Sequence, residues 1–292
     1  MRSLLFVPGD SEKKLAKSLG SKADVLILDL EDSVVAERKA EARRITRDFI
    51  RAASGGPRLF VRVNPLASGM ILDDLAAVVS AHPDGIVLPK AGGGGDMRTL
   101  DHYLSALEAR DGVEQGTIAT LPIASETAAA MFTLASYAGS SARLCGIMWG
   151  CEDLAADVGA AENRAPGGDY LEPFRLARSL CLFGAAAAGV AAIDTVFTDF
   201  RDEAGLEREA RAAERCGFTA KAAIHPGQVA AINRAFTPDD AAVAWARKVV
   251  DAFAAAPDAG VIGVNGKMLD RPHLRAAQRV LDRAGATAMQ RT

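Results

Sequence analysis

Eight short apolar runs rich in strand-forming residues recur along the chain, and stretches with helical periodicity separate them. Such alternation is typical of parallel strands joined by crossover helices. Eight strand–helix repeats within about 235 residues predict an α/β fold, the (β/α)₈ TIM barrel. The predicted strands are Ser3–Val7, Asp24–Leu30, Arg58–Val63, Gly85–Leu88, Thr117–Ile123, Arg143–Trp149, Ala191–Val196 and Thr219–Ile224.

A doubly wound open sheet is the alternative fold, but its nucleotide-binding signatures GxGxxG and GxxxxGK[ST] do not occur. We expect the glycine run Gly92–Gly95 to form a flexible loop instead. The predicted crossover segments are a helix starting near Asp10, the helices Glu37–Ala53, Met70–Ala81, Met97–Arg110 and Glu126–Tyr137, a partly helical stretch Asp153–Ala188, the helix Glu203–Cys216, and a helix starting near Pro226.

The predicted barrel takes residues 1–237 of the 292, which leaves residues 238–292 as a C-terminal helical extension. Its pattern predicts two helices joined by a Gly-rich irregular segment, Pro257–Lys267. Two interpretations stay open for this extension. It either packs on a neighbouring subunit of an oligomer or caps its own barrel.

Composition excludes several classes of partner. The chain has 34 Lys and Arg against 37 Asp and Glu, a net charge of −3, and only 5% aromatic residues, so it lacks the basic surface typical of nucleic-acid or anionic-membrane binding. The longest apolar stretch, Leu180–Ile193, is too short to span a bilayer. The four cysteines form no CxxC pair, which favours reduced thiols and a cytoplasmic protein.

Polar side chains follow most of the predicted strands. Because the carboxyl ends of barrel strands meet at one face, we expect these side chains to converge there. They are Asp29, Glu31, Asp32, Arg62, Asn64, Lys90, Glu126, Glu152, Asp153, Asp194 and His225. Carboxylates without a His or Cys cluster favour Mg²⁺ over zinc. The alternative, that Asp29 and Glu31 merely pair with nearby basic groups, stays open.

Several segments resemble, in the same order, the citrate lyase β-subunit-like family of the HpcH/HpaI aldolase superfamily. This resemblance implies a Mg²⁺-dependent TIM barrel that makes or breaks a carbon–carbon bond in an acyl thioester. The matching segments are residues 6–9 (FVPG), 28–34 (LDLEDSV), 39–43 (KAEAR), 62–64 (RVN), 88–90 (LPK), 125–127 (SET), 150–154 (GCEDL), 224–226 (IHP) and 266–270 (GKMLD).

The resemblance also implies residue roles. Glu126 and Asp153 match the metal ligands, and Arg62 matches the arginine that binds the keto-acid or thioester oxygen. Asp270 matches a catalytic aspartate supplied by an adjacent subunit, although its place before Pro272 also suits a helix cap. The residues expected to contact the substrate or its coenzyme A are Phe6, Lys13, Lys17, Arg62, Ile224 and His225, and those expected to support the site are Asp29, Glu31, Asp32, Asn64 and Lys90.

These observations predict a lyase acting on a β-hydroxyacyl-CoA such as malyl-, citramalyl- or hydroxymethylglutaryl-CoA, in a homotrimer or hexamer. Two alternatives stay open: a citrate lyase β subunit acting on a citryl thioester of an acyl carrier protein, and a non-catalytic member that only binds a keto acid or thioester. Lys13 and Lys17 lie four residues apart on one helix face, where exposed lysines are also ordinary surface.

Overall fold

The computed structural model describes residues 1–289, and the chain divides after Asn233 into two compact units. The first unit contains all eight predicted strands, most of them shorter at their ends than the sequence pattern suggested. They are β1 (Ser3–Pro8), β2 (Val25–Asp29), β3 (Arg58–Arg62), β4 (Gly85–Leu88), β5 (Ala119–Pro122), β6 (Gly146–Met148), β7 (Ala191–Asp194) and β8 (Ala220–Ala223).

The eight strands form one parallel sheet in the order β5-β4-β3-β2-β1-β8-β7-β6. Its two outer strands meet through parallel bridges that join Thr120 to Leu144 and Ile123 to Met148. The Ala124 amide donates to the Met148 carbonyl at 2.8 Å across the same junction. The sheet therefore curves into a barrel, and the predicted TIM-barrel fold is confirmed.

The barrel interior is filled by side chains that the strands contribute in alternation. Nearly all are fully buried, so the barrel is a packed core. The buried members of this cluster are Leu4, Val25, Ile27, Phe60, Val87, Leu121, Ile123, Met148, Ile193, Ala220 and Ala222. Gly85 on β4 makes room for Phe60, because a Cβ there would lie 2.6 Å from the Phe60 ring.

Eight helices accompany these strands in the described part of the chain. They are α1 (Glu12–Ser18), α2 (Lys39–Ala52), α3 (Ile71–Val78), α4 (Gly94–Asp111), α5 (Glu152–Asp157), α6 (Glu172–Ala188), α7 (Glu203–Cys216) and α8 (Val229–Phe236). Helix α7 has the predicted bounds because both ends carry strong signals. The Asp202 side chain accepts from the Gly205 amide at 2.8 Å, and Gly217 ends the helix with a φ of 113°.

Two expectations around β5 were wrong. The segment Glu126–Tyr137 forms no α-helix, only the 3₁₀ turns Ala129–Phe132 and Leu134–Tyr137. The glycine run is not a loop throughout, since Gly94 begins α4. The two corrections share a cause: the Gly94 amide donates to Ser136 Oγ at 2.8 Å, and a Cβ on Gly94 would lie 2.0 Å from the Ser136 carbonyl oxygen. This close approach requires glycine at position 94.

The second unit consists of α9 (Asp240–Ala255), the strands β9 (Val261–Val264) and β10 (Lys267–Asp270), and α10 (Arg271–Met289). The predicted irregular connection is therefore partly wrong, because it contains an antiparallel hairpin. Asn265 and Gly266, with φ of 50° and 75°, supply the positive φ values that a tight Asn-Gly hairpin turn needs. In the described residues, no helix has both the length and the apolar character needed to cross a bilayer.

Candidate active site

A cavity of about 420 Å³ opens at the carboxyl ends of the barrel strands. Its wall combines apolar side chains with five carboxylates and one guanidinium. The lining residues are Phe6, Val7, Pro8, Asp29, Asp32, Ser33, Arg62, Ile123, Glu126, Met148, Trp149, Gly150, Cys151, Glu152, Asp153, Thr195, Val196 and Ile224. Six of the eleven side chains predicted to converge line this cavity, and five do not. Those that line it are Asp29, Asp32, Arg62, Glu126, Glu152 and Asp153, and those that do not are Glu31, Asn64, Lys90, Asp194 and His225.

Arg62 is held at the cavity wall by the register of β2 and β3. That register places Asp29 directly opposite Arg62, and the two form a bidentate ion pair with both N–O distances at 2.7 Å. The Arg62 guanidinium also lies 4.9 Å from the centre of the Phe6 ring. Burial would raise the pKa of Asp29, but the hydrogen bonds and charge of Arg62 bring that pKa below its usual value. Arg62 is therefore a fixed cation whose charge does not vary with pH in the physiological range.

Glu31 joins Arg62 to a second cation. Its carboxylate is buried, lies 2.9 Å from Arg62 Nη1, and makes a short contact with the ammonium of Lys90. The Lys90 ammonium also lies 3.3 Å from Asp153 and 3.9 Å from Asp32. Asp29 and Glu31 thus do pair with basic groups, as the structural alternative expected, and these pairs lie at the cavity.

Glu126 lies just beyond β5 and is 3% exposed. Its Oε2 accepts a short hydrogen bond from the backbone N–H of Lys90. Gly150 makes room for this side chain, because a Cβ on Gly150 would lie 2.8 Å from Glu126 Cγ. Burial, with the nearby carboxylate of Asp153, raises the pKa of Glu126 to about 8. A cation at this point would let both carboxylates remain ionised at neutral pH.

The donor set at this point fits a magnesium ion. Glu126 and Asp153 line one cavity and offer carboxylate oxygens, the ligands Mg²⁺ prefers, and Mg²⁺ usually keeps its other positions for water and substrate. Among the residues that the structure describes, no group of three or more His, Cys, Asp or Glu is placed to enclose a metal by itself. A two-carboxylate site open to substrate is consistent with both observations.

Comparison with known proteins places this site in a family. The profile described as HpcH/HpaI aldolase/citrate lyase matches residues 2–226. The chain belongs to the HpcH/HpaI aldolase/citrate lyase family. A second profile, described as a C–C bond lyase of the TIM-barrel fold, matches residues 175–288. The chain is therefore a member of a carbon–carbon lyase family, as the sequence segments indicated.

Individual members of this family are similar over nearly the whole chain. The citrate lyase subunit beta of Leuconostoc mesenteroides subsp. cremoris is 34% identical over 98% of this chain and 93% of its own length. The mitochondrial citramalyl-CoA lyase of Mus musculus is 34% identical over 96% of this chain and 85% of its own length. The crystal structure of CitE from Mycobacterium tuberculosis in complex with magnesium, acetoacetate and coenzyme A has a TM-score of 0.78 and 34% identity, and the match covers 97% of this chain and 98% of that one.

Not every residue implied by the family resemblance reaches the cavity wall. Phe6 and Ile224 line it, whereas Lys13 and Lys17 are exposed on α1 and are not among the lining residues. His225 is exposed, stacks on Phe200 with ring centres 5.0 Å apart, and accepts from the Gly227 amide. These three basic side chains do not line the cavity. Their role in binding coenzyme A therefore stays a prediction.

Asn64 supports the site from below the surface and does not line the cavity. Its backbone N–H and its amide side chain both donate to Asp74 at 2.7 Å, and its side-chain oxygen accepts from Lys39 at 2.9 Å. Asp270 belongs to the second unit, at the end of β10, where its carboxylate contacts His273. Asp270 directly precedes α10, and its carboxylate contacts a side chain of the first turn of that helix. Both the helix-cap role and the catalytic role of Asp270 stay predictions.

Sequence reasoning missed a buried ionic cluster beside the site. Asp194 is one of the predicted strand-end acids, but it does not line the cavity. Its carboxylate accepts hydrogen bonds from Trp149 Nε1 at 2.7 Å, from Arg178 at 3.0 Å and from Lys221 at 2.9 Å. Lys221 also donates to Glu209 at 2.8 Å. The one available signal was a lysine within the apolar strand β8, because such a lysine needs a buried partner.

Proposed function

We propose that this protein is a Mg²⁺-dependent carbon–carbon lyase that cleaves a β-hydroxyacyl-CoA, such as malyl-, citramalyl- or hydroxymethylglutaryl-CoA, into an acyl-CoA and a keto acid. The observation that carries the proposal is the placement of one fixed guanidinium and two carboxylates, Arg62 with Glu126 and Asp153, on the wall of one cavity. The similarity to a citramalyl-CoA lyase and to a protein crystallised with magnesium, acetoacetate and coenzyme A supports it.

Glu126 and Asp153 are the proposed ligands of the metal. The backbone N–H of Lys90 orients Glu126, and Gly150 leaves the space that the Glu126 side chain occupies. When bound, Mg²⁺ supplies Lewis-acid stabilisation of negative charge on a substrate oxygen. The burial of Glu126 keeps competing water away from one side of the site.

Arg62 is the proposed donor to the keto-acid part of the substrate. The bidentate pair with Asp29 fixes the guanidinium plane before substrate binds, so no reorganisation is needed during the reaction. As the carbon–carbon bond breaks, the hydroxyl carbon becomes a carbonyl carbon and the hydroxyl proton passes to solvent water. Negative charge that develops on this oxygen is stabilised by the N–H groups of Arg62, an effect typically worth ~3–4 kcal/mol.

The bonding electrons move to the α-carbon of the thioester, which becomes an enolate and then takes up a proton to give the acyl-CoA. Asp270, supplied by an adjacent subunit in a homotrimer or hexamer, is proposed to relay a proton from solvent water to this carbon. General acid–base catalysis of this type contributes on the order of 10²–10⁴-fold. The basis for this role is the match of residues 266–270 to the family pattern.

Coenzyme A is proposed to enter beside Phe6 and Ile224, which line the cavity, with its phosphates near Lys13, Lys17 and His225. Four free thiols, Cys145, Cys151, Cys181 and Cys216, support the proposal of a cytoplasmic location.

The experiment that tests the main proposal is a panel of β-hydroxyacyl-CoA thioesters assayed for free keto acid and for acyl-CoA, with Mg²⁺ or with EDTA. We expect stoichiometric keto acid and acyl-CoA only with Mg²⁺. The variant Glu126→Ala should lower kcat at least about a hundredfold, because Lewis-acid stabilisation is typically worth several kcal/mol. Glu152→Ala, which removes an exposed carboxylate from the same cavity, is the matched control and should retain most activity.

Four results would contradict the proposal or favour its alternatives. Equal turnover in EDTA would exclude the metal role, and release of free coenzyme A without keto acid would indicate thioester hydrolysis. Activity only on a citryl thioester of an acyl carrier protein, with partner subunits present, would favour the citrate lyase β-subunit function that the Leuconostoc relative suggests. Tight keto-acid binding without any cleavage would favour a non-catalytic member.

A further inference from the structure

Lys90 is the residue that touches both proposed metal ligands. It lies two residues after the end of β4, whereas Glu126 follows β5 and Asp153 lies in the first turn of α5, after β6. Its backbone contacts one ligand and its ammonium contacts the other. The Lys90 side chain takes no part in the proposed chemistry.

The backbone contact depends on an uncommon conformation. Lys90 has a φ of 51°, in the left-handed region that residues other than glycine seldom adopt. In this conformation its N–H donates to Glu126 Oε2. The segment is held by packing on both sides, because Ala91, which follows, is buried and its N–H donates to the Ile123 carbonyl at 3.3 Å.

The ammonium of Lys90 lies near three carboxylates. It contacts Glu31 most closely, lies 3.3 Å from Asp153 and 3.9 Å from Asp32, and its side chain is 32% exposed. Glu31 is buried and fixed by Arg62, whereas Asp153 and Asp32 are more exposed. A flexible side chain in this position can lose its contact with Asp153 and still keep Glu31 and Asp32 as partners.

We propose that Lys90 is a positioning residue that serves as the resident counter-ion of the metal site. Its ammonium bridges Glu31 and Asp153 when no metal is bound. When Mg²⁺ binds Asp153 and Glu126, the ammonium gives up Asp153 and keeps Glu31 and Asp32 as partners. This inference rests on the proposed metal ligands. It does not require that the protein cleave a carbon–carbon bond.

Two consequences follow from competition between the two cations. Mg²⁺ must displace a positive charge from Asp153, so Lys90 lowers the affinity for Mg²⁺. By linkage, a variant that binds Mg²⁺ more tightly is also stabilised more strongly by a given concentration of the ion. Coupling between neighbouring sites is typically 5–150-fold in affinity, so we expect a change of about tenfold on removing the ammonium.

The test is a calorimetric titration of the full-length protein with Mg²⁺ in the absence of substrate. Lys90→Met keeps the length of the side chain and removes its charge. We expect Mg²⁺ to bind this variant about tenfold more tightly than wild type. Thermal unfolding with EDTA or with saturating Mg²⁺ should show a larger Mg²⁺-induced rise in Tm for the variant.

Lys39→Met is the matched control. The Lys39 ammonium lies near the same acidic segment, but its three hydrogen bonds go to uncharged oxygens, the carbonyls of Leu30 and Glu31 and the side chain of Asn64. We expect this variant to lose stability equally with and without Mg²⁺. Its affinity for Mg²⁺ should change little.

Glu31→Gln probes the alternative partner of the ammonium. It should weaken Mg²⁺ binding, because without the charge of Glu31 the Lys90 ammonium pairs more strongly with Asp153 and is harder to displace. In a Lys90→Met background the same change should have a much smaller effect, since the movable charge is gone.

Equal Mg²⁺ affinity of wild type and Lys90→Met, or additive effects of the two substitutions, would overturn the inference and leave the proposed lyase function standing. Failure of the wild type to bind Mg²⁺ would overturn both the inference and the metal part of the proposed function. Normal Mg²⁺ binding without lyase activity would overturn the proposed function alone.

Discussion

Arg62 shows how one side chain is fixed by contacts with several elements. Its guanidinium forms a bidentate ion pair with Asp29, a second ion pair with Glu31, and a cation–π contact with the Phe6 ring. Only a planar fork can make the bidentate contact, and a lysine in its place would keep the charge but lose the orientation. The function of this residue therefore depends on its geometry as well as on its charge.

For Arg62→Lys we expect kcat to fall about 10²–10³-fold, because a preorganised donor to the developing oxyanion is lost. The measurement is steady-state kinetics with the best thioester of the panel. Arg58→Lys, at the exposed start of the same strand, is the control and should leave kcat unchanged. Equal kcat values for wild type and Arg62→Lys would mean that charge alone suffices.

Gly150 is a second residue with a positional role. A Cβ there would lie 2.8 Å from Glu126 Cγ, so Gly150→Ala should push Glu126 from its place and weaken Mg²⁺ binding at least about tenfold. Calorimetric titration with Mg²⁺ measures this. In the control Gly95→Ala, the added Cβ meets only a distant Arg98 nitrogen at 3.9 Å, and the change inside a helix should stabilise the fold by about 0.5–1 kcal/mol.

At this scale the sequence singled out charged strand-end residues but did not identify their partners. Glu126, Asp153 and Arg62 stand out because charged residues at strand ends are uncommon without a purpose. The partner of Asn64 is Asp74, and that of Asp194 is Lys221, and neither pairing follows from sequence spacing. The Asn64–Asp74 pair depends on how α3 packs against the end of β3, and the Asp194–Lys221 pair depends on the register between β7 and β8. A single sequence carries neither kind of information.

Besides the carboxylates that follow β5 and β6, the ends of β5, β6 and β7 also give the cavity an apolar part. They contribute Ile123, Met148 and Val196, and Arg62 is the sole basic residue among those that line the cavity in the described part of the chain. Its charge is already balanced by Asp29 and Glu31. A second substrate carboxylate would therefore find no free cation in this part of the cavity.

We expect the site to prefer a keto-acid product with a hydrogen or methyl substituent, so pyruvate or glyoxylate should inhibit more strongly than oxaloacetate when Mg²⁺ is present. Leaving an unpaired charge in such a site typically costs a few kcal/mol. Competitive inhibition constants measure the preference. Val196→Lys, which adds a cation to the apolar part of the cavity, should reduce the difference between the inhibition constants of pyruvate and oxaloacetate. A stronger effect of oxaloacetate on the wild type would contradict this reasoning.

The elements also show where a periodic pattern misleads. Residues 126–137 have a composition suited to a helix, yet the segment turns twice in 3₁₀ geometry. The Tyr137 hydroxyl donates to the Ala91 carbonyl at 3.3 Å, and Ser136 accepts from the Gly94 amide. These contacts with the segment after β4 outweigh local propensity, which is a weak preference.

The molecule as a whole has a buried ionic cluster whose stability depends on pH. Burial would raise the pKa of Asp194, but Lys221 and Arg178 lower it to about 2. A carboxyl group with a lowered pKa stabilises the folded state fully above its unfolded pKa, and this contribution is lost as the pH falls through the folded pKa. Acidification from about pH 4 to pH 2 should therefore remove it.

We expect the free energy of unfolding of Asp194→Asn to depend less on pH in this range. The variant should also be less stable at pH 7 by about 3–5 kcal/mol, because the buried Lys221 and the partly buried Arg178 lose their shared partner. Urea unfolding at a series of pH values measures both effects. Asp48→Asn removes an exposed carboxylate paired with Arg47 on α2 and should change stability little. Parallel pH curves for wild type and Asp194→Asn would show that the cluster does not contribute.

At the same scale, the barrel was predictable because its signal repeats. Each of the eight strands is a short buried run, from Val25–Asp29 to Ala220–Ala223, and an error at one end does not change the count. The hairpin of the second unit was not predictable in this way. It rests on one Asn-Gly turn within a glycine-rich stretch, and a single turn signal competes with many others.

The excess of carboxylates on the cavity wall determines the order in which ligands can arrive. Even without Glu126, whose raised pKa of about 8 keeps it largely protonated at neutral pH before a cation binds, four carboxylates and one guanidinium line the cavity. The resulting field repels an anionic thioester before a divalent cation is present. After the cation binds, the same field becomes attractive to a carboxylate placed beside it. Binding should therefore be sequential, with Mg²⁺ first, and the rate of substrate association should rise with the fraction of metal-loaded protein.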